Sequence, residues 1–220
     1  MRSDHVYHIL ETRGLLAGMR GDFPPETALR IVEVLVEEGI VVFEFTMNST
    51  DPLQTLQSVK RAFGDDVCAG MGTVLDATTA RQVIDAGADL IMSPAFGPEV
   101  VQAALDADVL IAPGVITPTE CVNAWAMGVR LLKIFPIGPL GLDYFKSIRG
   151  PLNHMRFLAN GGITAENAGD YLRAGATCCG LSGWLTGDGT WPLETIRKRA
   201  RQVVQAVAAA RDATISSNIV

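Results

Sequence analysis

The chain has 220 residues, of which 48% are hydrophobic and 19% are charged, with a formal net charge of −6. This composition indicates one folded domain and argues against a nucleic-acid partner, because phosphate backbones require clustered lysines and arginines. The sequence has no apolar run long enough to cross a bilayer, no signal-peptide core and no paired spacing of its four cysteines, so it predicts a cytoplasmic protein with reduced thiols.

Compact apolar runs recur along the chain, and several follow a helical pattern that ends at a glycine. Gly39, Gly87, Gly128 and Gly175 occupy such positions and predict left-handed helix caps. The apolar runs are too continuous for half-exposed strands, so they favour parallel strands that helices cover. Eight strands are predicted, near residues 14–20, 40–46, 67–72, 89–92, 108–112, 130–135, 155–159 and 176–181.

Helical patterns fill the segments between the predicted strands. A short N-terminal helix comes first, and clear later examples are Glu26–Glu38, Leu53–Phe63 and Ala77–Ala86. Strict alternation of strand and helix predicts a parallel sheet, and eight units favour a closed (β/α)8 TIM barrel over an open doubly wound sheet. The barrel is predicted to be a single domain over residues 1–212, and 213–220 to form a flexible tail.

Lys133 carries the sharpest chemical signal, because it alone of the four lysines lies inside a predicted strand, in the run Leu-Leu-Lys-Ile-Phe-Pro. Catalytic residues of such barrels lie at the carboxyl ends of the strands. An apolar wall disfavours the charged form of a lysine, and a neutral amine can attack a ketone to form a Schiff base. The alternative is a lysine that reaches solvent or pairs with a carboxylate for structural reasons.

Glu44 alternates with apolar neighbours in the predicted second strand. Strand parity places Val42, Glu44 and Thr46 on one face, and it places Lys133 on one face of its own strand. If both faces point into the barrel, the carboxylate and the amine meet across its mouth. Such a pair provides a nucleophile and a group that moves protons. A structural ion pair is the disfavoured alternative, because buried pairs contribute little net stability.

Two glycine-rich segments follow the last two predicted strands. Gly161 and Gly162 precede a helix, and Ser182 and Gly183 follow the final strand. Glycines let backbone N–H groups approach an anion, and a helix N-terminus adds positive potential. Together the two segments predict a phosphate site.

Taken in chain order, these motifs resemble the 2-keto-3-deoxy-6-phosphogluconate (KDPG) aldolase family, the small class I aldolases of the Entner-Doudoroff pathway. The resemblance runs from about Gly14 to Ala210. It rests on Glu-Phe-Thr at 44–46, Gly-Met-Gly-Thr-Val-Leu at 70–75, Ser-Pro at 93–94, Pro-Gly-Val at 113–115, Lys-Ile-Phe-Pro at 133–136 and Gly-Gly-Ile at 161–163.

The resemblance implies a lyase that cleaves KDPG to pyruvate and glyceraldehyde 3-phosphate. Alternative substrates are the galactonate epimer (KDPGal) and 4-hydroxy-2-oxoglutarate (KHG), and a further alternative is a phosphate-binding barrel that is not an aldolase. By resemblance, Lys133 is the Schiff-base lysine and Glu44 the acid/base. Thr73 would bind the pyruvyl carboxylate, Pro94 and Phe135 would line the pocket, and the two glycine-rich segments would hold the phosphate.

Many members of the family carry an arginine where this chain has Asn48. Members with asparagine at that position, including galactonate-type aldolases, often end the first strand in Arg-Gly, as Arg20 and Gly21 do here. From this resemblance we predict that the Arg20 guanidinium supplies the carboxylate-binding cation. The resemblance also implies a homotrimer that needs no metal or cofactor, and no residue spacing here predicts a metal site. The expected partners are a phosphorylated keto-deoxy sugar acid and pyruvate, with neither nucleic acid nor a membrane among them.

Overall fold

The computed structural model describes residues 2–217, with side chains described over 2–212. The side chains of 213–220, the segment predicted to be a flexible tail, all lie outside the described range. Its flexibility therefore stays a prediction. In the described chain, nine parallel strands form one sheet. They are β1 (Leu15–Met19), β2 (Val42–Thr46), β3 (Cys68–Gly72), β4 (Leu90–Met92), β5 (Leu110–Ala112), β6 (Gly114–Val115), β7 (Leu132–Ile134), β8 (Phe157–Asn160) and β9 (Cys178–Leu181).

Helices alternate with these strands, and the three helices predicted with bounds are confirmed to within one residue at each end. No helix in the described part of the chain is long and apolar enough to span a bilayer. The helices are α1 (Arg2–Arg13), α2 (Pro25–Glu37), α3 (Pro52–Phe63), α4 (Ala77–Asp85), α5 (Pro98–Asp106), α6 (Pro118–Ala126), α7 (Gly141–Arg149), α8 (Ala165–Arg173), α9 (Gly183–Thr186) and α10 (Leu193–Ser217).

Four of the turns from helix to strand use the predicted glycines. Gly39, Gly87, Gly128 and Gly175 have φ values of 90°, 91°, 94° and 97°, so the predicted left-handed caps are confirmed. This backbone conformation ends each helix and directs the chain into the following strand.

The sheet order β5-β4-β3-β2-β1-β9-β8-β7-β6 closes into a ring through the short link at Pro113. The fifth predicted strand, near 108–112, is longer than expected and forms both β5, which pairs with β4, and β6, which pairs with β7. The link is interrupted because proline has no N–H for the ladder, yet the Pro113 carbonyl still accepts a 2.9 Å bond from the N–H of Lys133. The predicted barrel is confirmed, and the open doubly wound sheet is excluded.

Alternate residues along each strand point to opposite sides of the barrel wall. Outward side chains such as Phe43 pack under the helices in the larger apolar cluster. Inward side chains, including Val42 and Leu131, form a smaller cluster at the amino-terminal end of the strands. Glu44 and Lys133 lie two residues further along the same inward faces, so the fold places them toward the carboxyl ends, the mouth of the barrel. The smaller cluster is covered by Val6, Tyr7 and Leu10 of α1.

Asp89, just before β4, ties the N-terminal helix to the barrel. Its buried carboxylate pairs with Arg2 Nη2 at 2.7 Å and with Lys60 Nζ at 2.6 Å. The same carboxylate accepts a 2.9 Å hydrogen bond from the N–H of Ala69. Three donors from three parts of the chain therefore converge on one group.

Replacing Asp89 with asparagine is expected to lower the free energy of unfolding by about 2 kcal/mol, because it removes charge-assisted hydrogen bonds from a buried acceptor. Urea denaturation followed by circular dichroism measures this change. The control is Asp106→Asn, which removes an exposed carboxylate from α5 and should change stability by less than about 0.5 kcal/mol. Equal stability of the two variants would contradict the anchoring role of Asp89.

Candidate active site

The Glu44 carboxylate and the Lys133 amine meet inside the barrel mouth. Oε1 lies 3.3 Å from Nζ, and the two side chains are 5% and 3% exposed. Strands β2 and β7 lie on different sides of the ring, so the contact depends on barrel closure and inward parity. The structure thus brings together Glu44 and Lys133, as predicted from the alternation of side chains along their strands. An amine that is buried from solvent next to a carboxylate is suited to exchange a proton with it.

Room for the Glu44 carboxylate comes from glycines in the neighbouring strands. A Cβ at Gly72 in β3 would lie 1.8 Å from Glu44 Oε1, and a Cβ at Gly18 in β1 would lie 3.4 Å from Oε2. Neither glycine is among the site residues predicted from the sequence. The available signal was a glycine inside a predicted strand on the inward face, which often marks close approach of another group.

Phe135 and Pro94 lie on the Lys133 side of the mouth. The Phe135 ring centroid is 5.1 Å from Lys133 Nζ. The ring packs against Gly161, where a Cβ would approach it to 3.0 Å. The Pro94 carbonyl lies against Gly114, which pairs with Lys133 in the sheet and has no space for a side chain. Both predicted wall residues therefore border the strands that present the amine.

Thr73 directly follows β3 and has an unusual conformation. Its φ is +60°, a left-handed value that costs a non-glycine residue about 1–3 kcal/mol. Its hydroxyl oxygen is buried and has no hydrogen-bond partner among the described residues. An unpaired buried hydroxyl costs a further 1–3 kcal/mol, roughly. Two unfavourable features at one residue beside the mouth are typical of functional sites.

Arg20 and Asn48 occupy the rim of the mouth, and both are exposed. Arg20 lies two residues beyond the inward-facing Gly18, and its guanidinium has no hydrogen bond or ion pair with any residue that the structure describes. The loops that carry Arg20 and Asn48 are joined at Ser49, whose hydroxyl oxygen accepts from the N–H of Gly21 at 3.1 Å. This bond ties the loop that carries Arg20 to the loop that carries Asn48.

The two predicted phosphate segments are neighbours, because β8 and β9 pair in the sheet. Gly161 and Gly162 have φ values of 87° and 88°, which favour glycine at both positions. The Gly162 carbonyl accepts a 3.0 Å bond from the Asn167 amide of α8, which fixes this turn at the start of that helix. Ser182 and Gly183 are exposed at the end of β9. Both segments therefore flank one side of the mouth.

Known proteins resemble this chain over most of its length. The family model described as KDPG and KHG aldolase matches residues 18–206. The 2-dehydro-3-deoxy-6-phosphogalactonate aldolase of Escherichia coli K12 is 31% identical over 90% of this chain and 95% of its own length. A solved structure described as native KDPGal superposes with a TM-score of 0.86 at 30% identity, covering 90% of this chain and 96% of that one.

A KDPG aldolase from Legionella pneumophila, solved with pyruvate captured as a covalent carbinolamine intermediate, gives a TM-score of 0.77 at 25% identity. The alignment covers 93% of this chain and 97% of that one. With the family match spanning most of the sequence, the chain belongs to the KDPG and KHG aldolase family of Schiff-base lyases.

Proposed function

We propose that the protein cleaves a 2-keto-3-deoxy-6-phospho sugar acid to pyruvate and glyceraldehyde 3-phosphate through a Schiff base on Lys133. The observation that carries the proposal is the buried 3.3 Å contact between Lys133 Nζ and Glu44 Oε1 in the barrel mouth. If the carboxylate takes one proton from the ammonium group, the amine becomes a neutral nucleophile.

The amine of Lys133 adds to the C2 ketone, and loss of water from the carbinolamine gives an iminium. When the C4 hydroxyl loses its proton, the electrons of the C3–C4 bond move toward the iminium, and the aldehyde leaves. Protonation of the resulting enamine at C3, followed by hydrolysis, releases pyruvate and restores the amine. Glu44 is the carboxylate beside Nζ, and we assign these proton transfers to it.

The carboxylate of the substrate is proposed to bind at the Thr73 side of the mouth. The unpaired Thr73 hydroxyl supports this assignment. The exposed guanidinium of Arg20 would pair with the same carboxylate, at the rim position where Asn48 provides no charge. Pro94 and Phe135 would form the apolar walls around the pyruvyl group.

The phosphate is proposed to bind between the two glycine-rich segments. The support is the left-handed backbone at Gly161 and Gly162 and their position before α8. Ser182 and Gly183 would contribute N–H groups from the neighbouring strand end.

Replacing Arg20 with glutamine is expected to raise KM for the sugar acid roughly 10- to 100-fold, which corresponds to the loss of one charge-assisted hydrogen bond. The value of kcat should change much less, because the guanidinium does not touch Lys133. Steady-state kinetics measure both parameters. The matched control is Arg81→Gln on α4, which removes an exposed arginine away from the mouth. An unchanged KM in Arg20→Gln would contradict the assignment.

Two epimers remain candidate substrates, because the similar proteins include relatives named for KDPG and for KDPGal. A coupled assay of pyruvate release, run with KDPG, KDPGal and KHG, ranks them. We expect at least one phosphorylated epimer to exceed KHG in kcat/KM by at least about tenfold, because KHG lacks the phosphate contacts. No pyruvate from any of the three would contradict the proposed reaction.

We also propose that the chain assembles as a homotrimer. Three large apolar side chains are among the exposed residues, Leu75, Val122 and Leu140, and burial in an interface would remove them from water. Light scattering should give three times the mass of the chain, and a stable monomer would contradict the proposal. The cytoplasmic location stays a prediction from the sequence.

A further inference from the structure

A cleft of about 520 Å³ lies at the end of the barrel opposite to Lys133, where β8 and β9 begin. Three arginines from separate elements line it: Arg149 at the end of α7, Arg156 just before β8, and Arg211 on α10. The backbone of residues 175–177 forms one wall. Among the lining residues, Glu11 of α1 provides the one carboxylate.

The positive charge of these three arginines is only partly balanced, because Glu11 is the one carboxylate among the residues that line the cleft. None of their guanidinium groups forms an ion pair with a carboxylate of residues 2–212, unlike several other arginines of the protein. Each guanidinium is instead oriented by a backbone carbonyl, which fixes its position without cancelling its charge. These bonds run from Arg149 Nε to Gly175 O (3.2 Å), from Arg156 Nη1 to His154 O (3.4 Å) and from Arg211 Nη2 to Glu11 O.

The guanidinium of Arg211 is partly shielded from solvent. Burial lowers the pKa of its guanidinium below the ordinary value, because the charged form loses hydration. The charge of Glu11 acts in the opposite direction and raises that pKa, but burial has the larger effect. A bound anion would offset this loss of hydration.

We propose that this cleft is a second binding site, separate from the catalytic mouth, for a small phosphate-bearing anion. The planar donor fork of arginine matches the oxygens of phosphate, and three such forks suit a group with more than one negative charge. The volume lies within the usual range for small-molecule sites. Leu172 and Ala210 add an apolar side against which a carbon skeleton would pack.

Hydrogen–deuterium exchange with pyrophosphate as the probe tests the site and its location together. We expect slower exchange in peptides that cover residues 172–177 of the parent protein. Titration of this effect gives Kd, and Arg156→Gln should raise Kd at least about tenfold, with Arg149→Gln as a second variant. Arg81→Gln, which removes an equal charge outside the cleft, should leave Kd unchanged.

The cleavage reaction provides an internal control, because none of the three arginines lies at the mouth. Arg156→Gln should therefore retain the kcat of the parent protein. Protection confined to peptides around 161–162 and 182–183 would overturn the proposal, since it would place pyrophosphate at the catalytic mouth alone. An equal Kd in the parent protein, Arg156→Gln and Arg149→Gln would also overturn it. Citrate, a tricarboxylate, should bind more weakly, and tighter binding of citrate would overturn the phosphate assignment.

Discussion

Replacing Lys133 with methionine is expected to lower kcat by roughly 10⁴-fold or more, the scale seen when a covalent nucleophile is removed. Methionine keeps an unbranched apolar stem in the barrel wall but has no amine to add to the C2 ketone. Without the iminium, the C3–C4 bond has no electron sink, so pyruvate release should fall close to background. Steady-state assays with a phosphorylated sugar acid measure the change.

Two controls separate lost chemistry from lost folding in this experiment. Lys146→Met makes the same change at an exposed position on α7 and should keep nearly the full kcat. Circular dichroism should show that Lys133→Met is folded, although Glu44 then lacks its cationic partner and some stability is lost. A folded Lys133→Met variant with kcat within about tenfold of the parent protein would contradict a nucleophilic role.

Replacing Glu44 with glutamine is expected to lower kcat by about 10²- to 10⁴-fold, the usual contribution of a positioned acid/base group. The amide has nearly the same shape as the carboxylate, so it should still fit beside Gly18 and Gly72. It cannot carry the protons that move during carbinolamine formation and C–C cleavage. Because the Lys133 amine remains, the variant should still form a covalent adduct with pyruvate, but more slowly.

The adduct separates the role of Glu44 from that of Lys133. A slow adduct in Glu44→Gln and none in Lys133→Met would match proton transfer by one group and covalent bonding by the other. The control is Glu99→Gln, which changes an exposed carboxylate on α5 and should leave kcat unaltered. If Glu44→Gln kept kcat within about threefold of the parent protein, an acid/base role would be excluded.

Much of the barrel was predictable because the strands are local apolar runs and four of the helices end at a glycine. The approach of Glu44 to Lys133 was predictable from parity, since residues two apart on a strand share a face. The sequence did not predict that the fifth strand extends past Pro113, because a proline normally ends a strand. Gly114 and Val115 continue the strand because they pair with β7 and close the ring.

Three other features that depend on packing between distant segments were not predictable. Gly18 and Gly72 make room for Glu44 only because of the register between β1, β2 and β3. No local sequence pattern predicts the left-handed backbone of Thr73 or its unpaired hydroxyl. The arginine-lined cleft likewise joins three elements that no sequence motif connects.

The most direct measurement of the central claim is borohydride reduction in the presence of pyruvate, followed by peptide mass spectrometry. We expect the peptide that contains Lys133 to gain the mass of one pyruvyl group attached through a reduced imine. The Lys133→Met variant should carry no adduct. An unmodified Lys133 peptide, or an adduct carried by Lys60, Lys146 or Lys198 instead, would contradict the Schiff-base mechanism proposed for this barrel.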